Sequence, residues 1–302
     1  MSHLLKDKTA VITGAASGLG LALARHAAGL GMRLVLADVE LEALNRCTQE
    51  FEQQGVQVLS TRVDVAKSDD VAQMAQQTLS AFGAPHLVFN NAGVATGGLL
   101  WEASEQDWDW VLGVNLMGVV HGVRHFTPMM LQAAKKDARY SACIVNTASM
   151  AGLVCMPNMG VYNVSKHAVV ALTETLCHEL ALVTQQVRAA LLCPYFVPTG
   201  INSSERNRSE PDRAQTAPAT PSQLFGREMM DKAVRSGKVS AQQVAELVFE
   251  AIAQERFYIF SHPQAMQGVA QRFDDVLSGR SPSNPYAHAP HLEDLLRRAI
   301  GG

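Results

Sequence analysis

Residues 9–20 read Thr-Ala-Val-Ile-Thr-Gly-Ala-Ala-Ser-Gly-Leu-Gly. The first five, with β-branched Thr9, Val11, Ile12 and Thr13, predict a short strand. Glycines and small residues follow from Gly14 to Gly20, and Leu21 to His26 then continue as a helix. A strand that turns through glycines into a helix leaves backbone N–H groups and the positive helix end open to a pyrophosphate. The stretch therefore predicts the first step of a dinucleotide-binding sheet, with Gly14, Ser17, Gly18, Leu19 and Gly20 against the coenzyme.

Further strand-like runs recur at residues 33–37, 57–62, 87–90, 143–147, 188–193 and 256–260, with helical periodicity between them. Leu41, Leu44, Cys47 and Phe51 make one such stripe, and Val71, Met74, Thr78, Leu79 and Phe82 another. Several strands are apolar at consecutive positions, as in a parallel sheet covered on both faces. The expected fold class is α/β, a Rossmann-type doubly wound parallel sheet in a single domain. Asp38 ends the second strand, where a carboxylate can accept from both ribose hydroxyls and repels a 2′-phosphate. With no cation at Ser17 or Val39, the expected coenzyme is NAD.

The chain has 302 residues, 47% of them hydrophobic, enough for a large core and too many for a disulfide-stapled scaffold. Its 25 Lys and Arg against 28 Asp and Glu give a net charge of -3, which excludes a basic nucleic-acid binder. Five scattered cysteines without a C-x-x-C pair suggest reduced thiols and a cytoplasmic setting. No apolar h-region precedes the first strand and no run approaches a membrane span, so neither a secretory signal nor a spanning helix is expected.

Ordered motifs run along the chain: TGAASGLG, Asp64-Val65, Asn90-Asn91-Ala92-Gly93, Asn115 in VNLMG, Ser149 in NTASMAG, and Tyr162-Asn163-Val164-Ser165-Lys166. In these the chain resembles the short-chain dehydrogenase/reductase family over roughly residues 6 to 260. The resemblance implies that Asp64 and Val65 meet the adenine, that Asn91, Ala92 and Gly93 run beneath the coenzyme, and that Asn115 joins a water-linked proton relay through Lys166. It also implies a homodimer or homotetramer. Tyr162 and Lys166 stand four residues apart on one helix face, so an ammonium can lie beside a phenol and favour the phenolate. Tyr162 then exchanges a proton with an alcohol or carbonyl oxygen, which Ser149 holds in place. Lys166 is also expected on the nicotinamide ribose.

The family commonly has Pro-Gly after the sixth strand, whereas this chain has Pro194-Tyr195. Pro194, Val197 and Thr199 are still expected on the nicotinamide. Met150, Leu153, Val154, Cys155, Met156, Met159, Tyr195 and Phe196 make an apolar set that points to a hydrophobic or aromatic secondary alcohol or ketone as substrate. An NADP-dependent carbonyl reductase and a catalytically silent nucleotide-binding or scaffold protein remain the alternatives.

Residues 203–221 are polar and proline-containing and predict a mobile loop or substrate lid within a region of about 198–236, followed by helices at 228–235 and 241–253. The catalytic domain is expected over 1–260 and a C-terminal extension packed on it over 261–302, with a helix at 266–277, a Pro/Ser break and a short last helix. His121 and His125 have metal-ligand spacing without further ligands, so no metal site is expected. Cys155 and Cys193 have no base nearby in sequence and are read as inert thiols.

Overall fold

Seven strands form one parallel sheet in the order β3-β2-β1-β4-β5-β6-β7 in the computed structural model, which describes residues 5–208 and 218–301. They are β1 (Thr9–Thr13), β2 (Arg33–Asp38), β3 (Val58–Arg62), β4 (Leu87–Asn90), β5 (Ala142–Thr147), β6 (Val187–Cys193) and β7 (Tyr258–Phe260). Every neighbouring pair is parallel.

Alternate side chains sort the core into two layers, because successive strand residues point to opposite faces. Ala10, Ile12, Leu34, Leu36, Leu87 and Phe89 face one side, against Leu23 and Ala27 of α1 (Gly18–Gly29), Leu44 and Phe51 of α2 (Leu41–Gln53) and, from α8 (Ala241–Ala253), Val248 and Phe249. Val11, Val35, Val88 and Ile144 face the other, against Val71 and Met74 of α3 (Ser68–Phe82), Phe126 and Met130 of α5 (Gly118–Lys136) and Leu176 and Leu180 of α6 (Gly160–Val183). Continuous apolarity in the sequence follows from this double cover.

Strand order reverses between β1 and β4, which opens a crevice at their carboxyl ends. Thr13 joins the two lips: its hydroxyl donates to the Phe89 carbonyl at 3.3 Å and accepts from the Asn91 and Ala92 amides at 3.0 and 3.1 Å. Behind the crevice, the Asn90 amide donates to Asn146 Oδ1 at 2.8 Å and the Asn146 amide to the Thr173 hydroxyl at 3.0 Å. This buried row ties α6 to the sheet. Gly122 makes room for it, since a Cβ there would lie 1.9 Å from Asn90 Oδ1.

Two expectations change. Of the stretch expected as a mobile loop or substrate lid, 203–207 belong to a turned helical segment, Gly200–Asn207, bonded to three parts of the chain as described below. Residues 209–217 of that expectation lie outside the described residues, and its end, Thr220 and Pro221, caps and starts the next helix. The next helix, α7, spans Pro221–Arg235 rather than starting near 228: the Thr220 hydroxyl accepts from the Gln223 amide, the Gln223 side chain accepts from the Thr220 amide, and Pro221 fits the first turn.

The tail forms α9 (Met266–Leu277) and α10 (Pro290–Ala299), which packs against α7. Asp275 is its knot. The carboxylate accepts from the Ser283 amide at 2.8 Å, the Ser283 hydroxyl at 3.1 Å, Gln271 at 3.2 Å and Arg280 at 3.1 Å. Those bonds, the Ser283 amide foremost, hold its pKa down to about 2.

His86 gives the fold a pH dependence. Burial, with Lys8 and Arg33 nearby, lowers its pKa to about 4, and its Nδ1 accepts from the Thr9 amide at 3.3 Å. The unfolded chain therefore binds a proton below its ordinary value of 6.5 that the folded chain refuses until about 4. Stability is full above that window and falls as pH descends through it. At about 1.4 kcal/mol per unit the ceiling is about 3 kcal/mol, and partial exposure brings this to about 1–2 kcal/mol. Thermal melts at neutral pH and near pH 5 should differ by about 1–2 °C less in His86→Gln than in the parent; equal differences in the two proteins would refute the assignment.

Candidate active site

A cleft of about 1330 Å³ runs along the carboxyl ends of the strands and gathers the residues picked out from sequence. One half is built from the glycine turn. Gly14 and Gly18 take positive φ of 66° and 51°, and a Cβ on Gly20 would lie 2.0 Å from the Gly14 carbonyl oxygen, so helix and turn pack backbone on backbone. Asp38 follows at the end of β2, accepting from the Ala16 amide at 2.9 Å and the Glu40 amide at 3.0 Å. Burial raises its pKa against the pull of those bonds. Ser17, Leu19, Asp64, Val65, Asn91, Ala92 and Gly93 line the same half.

The other half holds Ser149, Tyr162 and Lys166. Ser149 caps a short turn after β5, where its hydroxyl accepts from the Ala151 amide at 3.1 Å. The hydroxyl donates to the Pro194 carbonyl at 3.4 Å, and its nearness to the Tyr162 phenol favours the phenolate. Burial outweighs this and pushes the phenol up to about 12. Lys166, one helical turn on from Tyr162, sits with its ammonium 5.8 Å from the phenol ring centre and donates to the Thr147 carbonyl at 2.9 Å. Burial lowers its pKa to about 8, and no carboxylate acts on it among the described residues.

Asn115 lies in a π-helical turn, Gly113–Met117, between α4 (Glu105–Leu112) and α5. Its side chain accepts from the Val94 amide at 2.8 Å and donates to the Val94 carbonyl at 2.9 Å and the Ser165 hydroxyl at 3.0 Å. It thereby fastens the segment leaving β4 to α6. Pro194, Val197 and Thr199 line the cleft beside it, and Tyr195 presents a half-exposed ring 4.4 Å from that of Phe196. Of the apolar set only Leu153 turns away, into the core. His121 and His125 go to separate partners, the Val65 carbonyl at 2.9 Å and the Ser68 hydroxyl at 3.1 Å, and no metal-holding cluster occurs among the described residues.

Sequence reading missed the strap across the cleft. The Ser204 hydroxyl accepts from the Ala95 amide at 3.0 Å, Arg206 pairs with Glu40 at 2.8 Å, and Arg208 pairs with Asp107 at 2.5 Å. The Arg208 guanidinium lies 4.3 Å from the Trp110 ring centre, and its side chain is only 2% exposed. A buried cation needs such a partner, because unpaired it would forfeit its hydration. The wall opposite is the tail, where a Cβ on Gly268 of α9 would sit 3.6 Å from Val154.

The family model of short chain dehydrogenases matches residues 8–210. The chain belongs to the short-chain dehydrogenase family. Among relatives of this family, a CLA biosynthesis dehydrogenase/reductase from Lactiplantibacillus plantarum is 33% identical over 92% of this chain and 96% of its own length. A 1-deoxy-11-beta-hydroxypentalenate dehydrogenase from Streptomyces exfoliatus is 34% identical over 90% of this chain and 89% of its own. The crystal structure of a short-chain dehydrogenase/reductase from Burkholderia phymatum in complex with NAD superposes with a TM-score of 0.89 at 51% identity, over 93% of this chain and 98% of that one. The chain is thus a short-chain dehydrogenase in sequence and fold, and no helix among the described residues is long and apolar enough to cross a membrane.

Proposed function

We propose that the protein interconverts a hydrophobic or aromatic secondary alcohol and its ketone with NAD, using Tyr162 as general acid and base. The observation that carries this is the Ser149–Tyr162–Lys166 group, its tyrosine and lysine buried, set in a partly apolar cleft whose other half is the glycine turn and Asp38. The turn suits a dinucleotide: Gly14 and Gly20 pack against neighbouring backbone and Gly18 against the Thr199 side chain with no room for a Cβ, which keeps the turn's main chain bare toward the cleft. Ser17, Leu19, Asp64, Val65, Asn91, Ala92, Gly93, Pro194, Val197 and Thr199 would hold the coenzyme with them. When bound, the nicotinamide takes or gives a hydride at the carbinol carbon.

The protein's own groups handle the oxygen. Ser149 donates to the substrate oxygen and fixes its distance from Tyr162. Tyr162 gives its phenol proton to a ketone oxygen, or as phenolate takes the alcohol proton. Lys166, when charged, stabilises that phenolate and reaches the nicotinamide ribose. Asn115 joins the proton relay through its main chain, since both Nδ2 hydrogens and Oδ1 are already engaged. Met156, Met159, Val154 and Tyr195 supply apolar surface for the rest of the substrate. A small-molecule substrate, a cytoplasmic setting, a homodimer or homotetramer, and a tail from 261 that serves the 1–260 domain as its substrate wall belong to the same reading.

Asp38 supports NAD over NADP. A 2′-phosphate brought beside its carboxylate and Glu40 meets two negative charges, and Arg206 at that end is engaged by Glu40. Titration should show NAD binding at least about tenfold tighter than NADP, a difference of about 1.4 kcal/mol. Equal affinities would return the protein to the carbonyl reductases that use NADP. A panel of hydrophobic alcohols and ketones, followed by nicotinamide absorbance, tests turnover; binding without turnover in either direction would leave a silent nucleotide-binding protein.

A further inference from the structure

We infer that Cys155 and His167 form a nucleophilic thiol–imidazole pair at the mouth of the substrate half of the cleft, a covalent site for conjugated carbonyl electrophiles. Cys155 was read from sequence as inert for want of a base, and the fold corrects this. Twelve residues on, His167 of α6 brings its Nε2 to 3.8 Å from the Cys155 sulfur. The ring's protonation pattern follows from its other contact. His167 Nδ1 lies 2.9 Å from the Asn163 carbonyl, which can only accept, so Nδ1 carries the hydrogen and Nε2 of the neutral ring presents its lone pair to the thiol. The loop that carries Cys155 is held by the Asn163 side-chain amide, which donates to the Met156 carbonyl at 2.8 Å. Pair and anchor thus hang from one helical turn.

Access separates this thiol from the others. Cys155 is exposed and lines the cleft with Met156 and Val154. Cys47, Cys143 and Cys193 are buried, Cys177 is intermediate, and burial pushes Cys143 and Cys193 up to about 12. An exposed sulfur with a base aimed at it meets the structural conditions for a reactive cysteine, and none of the other four combines them.

The step balances without an oxidant. The thiol proton moves to His167 Nε2 while the sulfur electron pair forms an S–C bond to the β-carbon of an α,β-unsaturated ketone. The C=C pair becomes the enolate, which takes the proton back at the α-carbon, so S–H adds across the double bond. The adduct stands in the substrate half of the cleft and obstructs it.

The test exposes the full-length protein to limiting methyl vinyl ketone and follows each cysteine peptide by mass spectrometry. Cys155 is expected to take the adduct at least about tenfold faster than Cys177, and His167→Gln to slow Cys155 about tenfold while leaving Cys177 unchanged. Labelling of Cys155 no faster than Cys177 would overturn the site. So would an undiminished Cys155 rate in a His167→Gln protein with the parent's circular dichroism; if that variant does not fold, the Cys155-to-Cys177 ratio in the parent decides. The readout is a mass, so it stands or falls apart from the alcohol–ketone reading.

Discussion

Replacing Tyr162 by phenylalanine is expected to lower kcat/KM about a thousandfold or more in both directions while coenzyme affinity stays within about threefold. The ring remains, so packing on α6 and the Lys166 contact at 5.8 Å survive. What is lost is one acidic hydrogen at the reacting oxygen, a contribution of about 10² to 10⁴ in rate for a positioned acid or base. The parent's pH profiles carry the signature of the same group. With the phenol pushed up to about 12, the protonated form dominates near neutrality and ketone reduction should be nearly flat there. Alcohol oxidation needs the phenolate and should climb with pH, steeply until Lys166 loses its charge near about 8 and less steeply beyond. Turnover in Tyr162→Phe within tenfold of the parent, or oxidation that slows between neutral pH and about 8, would remove Tyr162 from the chemistry.

Gly20→Ala is expected to cost about 2–3 kcal/mol of stability and at least about a hundredfold in NAD affinity. Its new Cβ would lie 2.0 Å from the Gly14 oxygen and 2.8 Å from Asn91 Nδ2. Neither can step aside, because Gly14 is turn backbone and the Asn91 amide is bonded to the Thr13 carbonyl at 3.0 Å. Helix and turn must part, and overpacking of this kind destabilises by about 1–3 kcal/mol even where neighbours adjust. Gly29→Ala is the control: it lies in the same helix, meets nothing within 4 Å, and should be neutral or gain a few tenths of a kcal/mol. Melting temperature and NAD titration read both variants, and parental binding by Gly20→Ala would contradict the close approach.

Local pattern made much of this legible. β1 and β4 lie where their apolar centres, Ala10–Ile12 and Leu87–Phe89, place them, because strands covered on both faces are apolar at consecutive positions. Tyr162 and Lys166 declare themselves by residue type and by a spacing that any helix converts into one face. The start of α7 was hidden because its first turn is stabilised by a cap, Thr220 with Gln223, rather than by an apolar stripe. The Arg208–Asp107 pair spans 101 positions and the Cys155–His167 pair crosses a loop. Neither has a periodic signal, since what brings those groups together is the closure of the tertiary fold.

The strap closes over the proposed coenzyme half of the cleft at three separate points. Ser204, Arg206 and Arg208 each fasten a different element across the groove, and the Arg208 pair is buried. Under the proposed reading, a dinucleotide beneath them would exchange as these contacts open. Loosening Arg208 is therefore expected to speed coenzyme exchange, read as a faster NAD dissociation rate, without touching the proton-transfer groups.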